Sequence, residues 1–221
     1  ETRLGYETRT ESVAIQMLSS DLPVPLSMEA AEAAFSVAGP IRPTETAEPF
    51  EMRFTLDGFE MAEAVWTLFD PAAVLPRDPA TLAIDLTGAM RQVFDPFDES
   101  QAEVMQGAEV PAEIERLSLD RLVLEAAGVL LTGSGGFTFD NADLETFDGF
   151  PAPDGEVTLE LEGGNALIDR LVQIGVIPEE QAMGARMMMS MFARPAGDDL
   201  LRSTLEVRPD GQVLANGQRL R

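Results

Sequence analysis

The sequence predicts a β-dominant α+β protein, a curved antiparallel sheet with two or three short helices packed on its concave apolar face. Three observations predict it. Apolar and polar residues alternate with a period of two along many segments, the mark of strands with one wet face. Helical periodicity is confined to a few short stretches. Two of those stretches lie between strand segments in similar surroundings. The chain therefore reads as one domain, residues 1–221, built from two diverged strand–helix–strand units at about 50–90 and 155–209.

The elements follow in order. Leu4 to Met17 and Ala31 to Val37 carry strand-like patterning. Phe50, Met52, Phe54 and Leu56 share one face of the next segment, and Glu51, Arg53, Thr55 and Asp57 the other. Phe59 to Phe69 has helical content and stops at Pro71. Leu82, Ile84 and Leu86 resume the alternation. Residues 92–112 are turn-rich and acidic and read as an insertion, with a short helix at Gln101 to Gln106. Strands at Ile114 to Glu125 and Val129 to Phe139 come next. Within the second, the glycines Gly133, Gly135 and Gly136 mark a bulge or a close backbone approach, since a strand and not a helix follows them. Residues 140–155 form a second insertion rich in Asp, Gly and Pro.

Val157, Leu159 and Leu161 then alternate with Thr158, Glu160 and Glu162. Asn165 is placed to cap a helix reaching about Ile174, with Leu167, Leu171 and Ile174 as its stripe. Pro178, Glu179 and Glu180 open a second helix, acids beside the positive end of its dipole, which runs to about Ala193. Residues 200–208 and 212–220 form a terminal hairpin about Pro209, Asp210 and Gly211. The repeat shows in the leucine-to-proline distances, Leu56 to Pro76 and Leu159 to Pro178, which are 20 and 19 residues.

Composition removes whole classes of function. There are 39 acids against 15 cations, a net charge of −24, and hydrophobic residues make up 45%. The latter is a globular composition. The former repels a nucleic-acid backbone and the anionic surface of a bilayer. Every cation is Arg, and His and Cys are absent. That excludes disulfides, thiolate metal sites, histidine acid–base chemistry, Schiff bases and the lysine of a phosphate loop. The apolar stretch at Val123 to Leu131 is too short to span a bilayer and contains Glu125. The chain starts at Glu1 rather than Met, as a mature or trimmed form would.

The run from Ile177 to Pro195, with its methionines, and the segment Val213 to Leu220 resemble an uncharacterised family, domain of unknown function 2125, found in alphaproteobacteria. The stretches Leu75 to Asp78 and Asp85 to Gly88 fit it more loosely. The resemblance implies an exported, periplasmic, envelope-associated protein whose precursor carries an N-terminal signal or anchor. It implies no activity and carries over no catalytic residue. At the level of pattern alone the chain is also similar to AsmA-like envelope proteins, whose amphipathic strands form half-open sheets.

The remaining candidates are few. No catalytic residues, no cofactor and no enzymatic activity are expected; with 39 acids, a pair of carboxylates at hydrolase spacing arises by chance. Asp140, Asp143, Glu145 and Asp148 crowd one loop, where oxygen ligands suit Ca²⁺. The second helix is dense in methionine, a side chain suited to varied apolar guests. Its Met183, Met187, Met188, Met191 and Phe192, with Leu167, Leu171 and Trp66, are the candidate lining of a groove for a lipid or other apolar ligand. Ordinary core packing is the competing reading of the same residues. The expected function is a non-enzymatic envelope protein with a lipid or membrane-protein partner; the alternative is a structural or accessory subunit of an envelope complex with no ligand.

Overall fold

The computed structural model describes residues 2–18, 25–93, 95, 97–98 and 112–220. One antiparallel sheet dominates it, with strands β1 (Arg3–Met17), β2 (Leu26–Pro40), β3 (Glu48–Met61), β4 (Ala80–Gln92), β5 (Ala112–Ala126), β6 (Val129–Asp140) and β7 (Ala152–Glu162) in sequential order. The order continues with β9 (Leu200–Val207), β10 (Val213–Ala215) and β11 (Gln218–Arg219), while β8 (Arg194–Gly197) pairs the start of β9. Helix α1 (Glu63–Trp66) joins β3 to β4; α2 (Gly164–Gln173) and α3 (Glu179–Phe192) lie between β7 and β8. Strands β1 and β11 end the path, so the sheet is open.

The period-two pattern becomes two ladders across the sheet. One runs Phe35, Phe54, Ile84, Leu122, Gly133, Leu159, Ser203; the next runs Ala33, Leu56, Leu82, Leu124, Leu131, Leu161, Leu201. They make one continuous apolar face from β2 to β9. The opposite face carries charges in register, as in the row Arg53, Asp85, Arg121, and in the Glu160–Arg202 ion pair at 2.6 Å. Register shifts in the β3–β4, β4–β5 and β5–β6 pairs add local bends.

Among the described residues the sheet is one layer over most of its width. A compact chain of this mass exposes roughly 9,900 Å²; this one exposes 13752 Å². The buried hydrophobic residues are mainly small, among them Ala30, Ala83, Ala152, Ala182 and Ala215, and the largest side chain fully buried is that of Asp70.

Both helical crossovers leave the same end of the sheet. Leu130 opposes Glu162 and Thr81 opposes Glu125, which puts α1, α2 and the β5–β6 turn together. At that turn a Cβ on Gly128 would stand 2.9 Å from both Arg170 Nη1, on α2, and Pro76 Cγ, before β4. The two crossovers therefore meet there.

Several expectations are corrected. The helix expected over Phe59 to Phe69 is mostly strand and turn. Alternation resumes after the shift between Leu56 and Phe59, so β3 reaches Met61 and α1 keeps only Glu63–Trp66. Asn165 does not cap α2. Gly163 stands at the cap position, and the Asp199 carboxylate, 34 residues on, accepts from the N–H groups of Asn165 and Ala166 at 3.0 Å each. The buried residues of α2 are Gly164 and Ile168, and the expected stripe residues Leu167, Leu171 and Ile174 are half-buried. Residues 212–220 are not one strand: Asn216 and Gly217, at φ 51° and 78°, turn β10 back into β11. The Gly133 region is a close approach as expected. A Cβ on Gly133 would lie 2.6 Å from Leu159 Cδ2, and one on Gly135 2.3 Å from the Glu156 carbonyl oxygen. The expected helix at Gln101 to Gln106 falls outside the described residues.

Candidate functional site: an apolar groove under helix α3

Helix α3 begins behind Pro178 with Glu179 and Glu180 in its first turn, as the sequence indicates. Its inward stripe is Ala182, Ala185, Met189 and Phe192, spaced at helical intervals, with Ala182 fully buried and Met189 and Phe192 half-buried. Small residues at the start of this stripe allow close packing, and larger ones at its end reach the sheet. There, Met188, Met189 and Phe192 meet Leu131 of β6, Leu159 and Leu161 of β7, and Leu201 and Leu205 of β9 around a groove of about 340 Å³. That volume lies at the small end of ligand-binding pockets, roughly 300–1,000 Å³. Ala193 and Ser203 complete the lining.

The roof is fastened at both ends. Asp199, next to β9, holds the first turn of α2, and its Oδ1 also accepts from Asn165 Nδ2 at 2.8 Å. Desolvation pushes the Asp199 carboxyl up, but the two backbone N–H donors, the Asn165 amide and nearby Arg170 outweigh it, and its pKa is lowered. At the far end, Asn216 Nδ2 donates to the Phe192 carbonyl at 2.9 Å while its Oδ1 accepts from the Thr204 N–H at 3.0 Å. Ser203 Oγ donates to the same Phe192 carbonyl. An Arg186–Asp169 ion pair ties α3 to α2.

Of the groove residues read from the sequence, the structure brings Met188 and Phe192 into the lining. Met188 is 54% exposed and stands at the rim. Met183, Met187 and Met191 lie on the outer side of α3, each more than half exposed. Leu167 and Leu171 are half-buried on α2 and are not among the groove-lining residues. Trp66 is elsewhere. Its ring meets that of Phe69 at a 45° tilt with centroids 5.2 Å apart, carries the Arg77 guanidinium at 5.5 Å, and lines a separate cleft with Glu29, Glu60, Met61 and Glu63. Met189 and the five leucines of the floor were missed as site residues. The alternation marks those leucines as apolar-face residues, but nothing in it tells which part of the face the helix covers.

The acidic loop is organised by its own backbone. Asp143 Oδ1 accepts from the N–H groups of Glu145 and Thr146, and Oδ2 from Thr146 Oγ1 at 2.7 Å. These bonds hold its pKa low. Asp140 Oδ1 accepts from the Ala142 N–H. Among the described residues no three carboxylates, those of Asp140, Asp143, Glu145 and Asp148 included, group so as to hold a metal ion.

Asp70, in the first crossover, mirrors Asp199. It is fully buried and accepts from the N–H groups of Val74 and Leu75, both at 2.9 Å. Burial raises its pKa, these bonds and the Arg77 guanidinium lower it, and the net is a lowered value. Arg77 also pairs with Glu63 and donates to the Asp70 carbonyl, which closes the loop between α1 and β4.

Fold and groove define a class: a β-dominant α+β protein with an open antiparallel sheet, whose helical crossover roofs part of an apolar face. The chain belongs to domain of unknown function 2125 (DUF2125), a family of uncharacterised proteins conserved in bacteria, which it matches over residues 6–220. No curated relative and no solved structure matches it. Among the described residues no helix is long and apolar enough to cross a membrane.

Proposed function

We propose that this is a non-enzymatic protein of the bacterial cell envelope, resident in the periplasm, that holds a lipid acyl chain or a comparable apolar ligand between α3 and strands β6, β7 and β9. The groove carries this reading: five leucines form its floor and methionines its roof, with Ser203 the one polar side chain of the lining among the described residues. Methionine repacks around guests of different shape at little cost, which suits a site for chains of varied length. Among the described residues the apolar face continues beyond the groove across β2 to β5, a surface along which a longer chain can extend. Organic extraction of the protein purified from envelope fractions, followed by mass spectrometry, tests the proposal. A roughly stoichiometric acyl species is expected; its absence from repeated preparations defeats the ligand reading.

A second reading, an accessory subunit of an envelope complex with no ligand, is favoured by a separate observation. Met183, Met187 and Met191 give α3 an exposed apolar stripe on the side away from the groove. A helix apolar on two sides is usually covered on both. Crosslinking in intact cells from a photoreactive residue at position 187 separates the two, since a specific protein adduct is expected only from the accessory subunit.

A further inference from the structure

The two edges of the sheet are built differently. The C-terminal edge is stepped and short, with β8 of four residues including Pro195, β10 of three and β11 of two. Short strands and proline are the usual means of preventing a sheet edge from pairing with another chain. Strand β1 has neither. It runs for 15 residues, pairs only with β2 among the described residues, and exposes every residue except Val13. It holds no Pro and no Lys. In a chain of net charge −24 it is locally neutral, with Arg3 and Arg9 balancing Glu7 and Glu11.

We infer that β1 is a homodimerisation edge, pairing antiparallel with β1 of a second copy about a two-fold axis through Thr8. The blunted opposite edge disfavours head-to-tail growth, so the contact closes on itself. Charge selects the register. Centring the pair on Thr8 sets Glu7 of each chain opposite Arg9 of the other, and Tyr6 opposite Thr10. Centring on Arg9 sets arginine on arginine and Glu7 against Glu11. Centring on Glu7 sets that carboxylate on itself. Centring on Thr10 sets Ser12, whose φ of 57° breaks the extended strand, opposite Thr8, which leaves only residues 9–11 to pair before the break, against residues 5–11 when the axis passes through Thr8. Within its own chain Arg9 bonds Glu32 at 2.6 Å and lies 3.8 Å from Glu11, and a guanidinium with five donors can donate to a further carboxylate. Beyond about 8 Å, ionic screening at physiological salt shields the rest of the acidic surface. A two-fold axis normal to the sheet keeps both apolar faces on one side, which doubles the continuous apolar surface.

Sedimentation analysis of the full chain at physiological salt tests this independently of any ligand. The wild type is expected as a reversible dimer. Glu7→Arg turns two attractive pairs into two repulsive ones and is expected to weaken dimerisation by about tenfold. The exchange Glu7→Arg/Arg9→Glu restores opposite signs and is expected to restore the dimer, which separates the effect from misfolding. A wild type that stays monomeric at sub-millimolar concentration overturns the inference. So does a dimer indifferent to Glu7→Arg, an open-ended polymer, or an exchange variant that folds by circular dichroism but does not recover pairing.

Discussion

Strands β6, β7 and β9 present the same apolar face as strands β2 to β5, yet among the described residues the first group alone lies under a helix. The sequences of the two crossovers account for the difference. Both leave the same end of the sheet, and both are closed by an aspartate that accepts two backbone N–H groups, Asp70 in the first and Asp199 in the second. The first ends after the four residues of α1 and returns as β4; the second adds the 14 residues of α3 and reaches back over the sheet. A single inserted helix thus converts an apolar face into a groove, and among the described residues the face over β2 to β5 has no counterpart to it.

The contrast should appear first in stability. Leu161 sits beneath the start of α2, where a Cβ on Gly164 would come within 2.8 Å of Leu161 Cδ2. Leu161→Ala is expected to cost about 2 kcal/mol, the low end for a leucine that is half-buried. Leu4, on the apolar side of β1, is 56% exposed, and Leu4→Ala should change stability by less than about 0.5 kcal/mol. Urea midpoints measured at low protein concentration, where the chain is monomeric, check the pair. Equal losses at both sites would mean that the roof contributes nothing to the leucines below it.

The next effect acts on the roof directly. Asp199→Ala removes the cap of α2 and is expected to cost about 1–2 kcal/mol, a fall of roughly 2–8 °C in Tm for a chain of this size. Exposure of the groove should accompany it, read as increased binding of a hydrophobic dye before the main unfolding transition. Asn216→Ala is expected to give about 1 kcal/mol from the other end, through the lost bonds to the Phe192 carbonyl and the Thr204 N–H.

The two aspartates also make both crossovers sensitive to acid in the same direction. Asp70 and Asp199 have folded pKa values below the ordinary carboxylate value of roughly 4. The unfolded chain therefore binds more protons in the window between the two values. Their stabilisation is complete above the unfolded pKa and is lost as pH falls through the folded one. Tm should rise with pH across the acid range and flatten above about pH 5. Asp199→Asn should reduce that slope and leave the contribution of Asp70 in place.

How much of this was legible follows from the range of the interactions involved. The strands were, because Phe50 to Leu56 or Val157 to Leu161 declare their faces within a few residues. The short turn at Gly211 and the start of α3 at Pro178 were legible for the same reason. Asp199 as the cap of α2 was not, because the partners are 34 residues apart and Asn165 offers a plausible local cap. Nor was the end of β3: a bulge shifts the alternation by one residue, and Met61, Val65 and Leu68, at i, i+4 and i+7, then mimic a helical stripe. Within α3, the density of methionine hid the inward stripe, since three of the residues singled out, Met183, Met187 and Met191, repeat every fourth position on the wrong side.

That last error yields the smallest and most discriminating comparison, between two methionines on opposite faces of one helix. Met189 faces the groove and approaches the first turn of α2, with its Sδ 3.8 Å from the Cβ position of Gly164. Met187 is 63% exposed on the outside. Met189→Gln places an amide against apolar side chains and is expected to cost about 1 kcal/mol, while Met187→Gln should stay within about 0.5 kcal/mol. Both side chains have similar length and helix propensity, so backbone effects cancel in the difference. If α3 roofs a ligand site, Met189→Gln lowers the acyl species recovered on extraction and Met187→Gln does not. A loss caused by Met187→Gln with Met189→Gln silent would transfer the function from the groove to the outer stripe, and with it the choice between ligand carrier and accessory subunit.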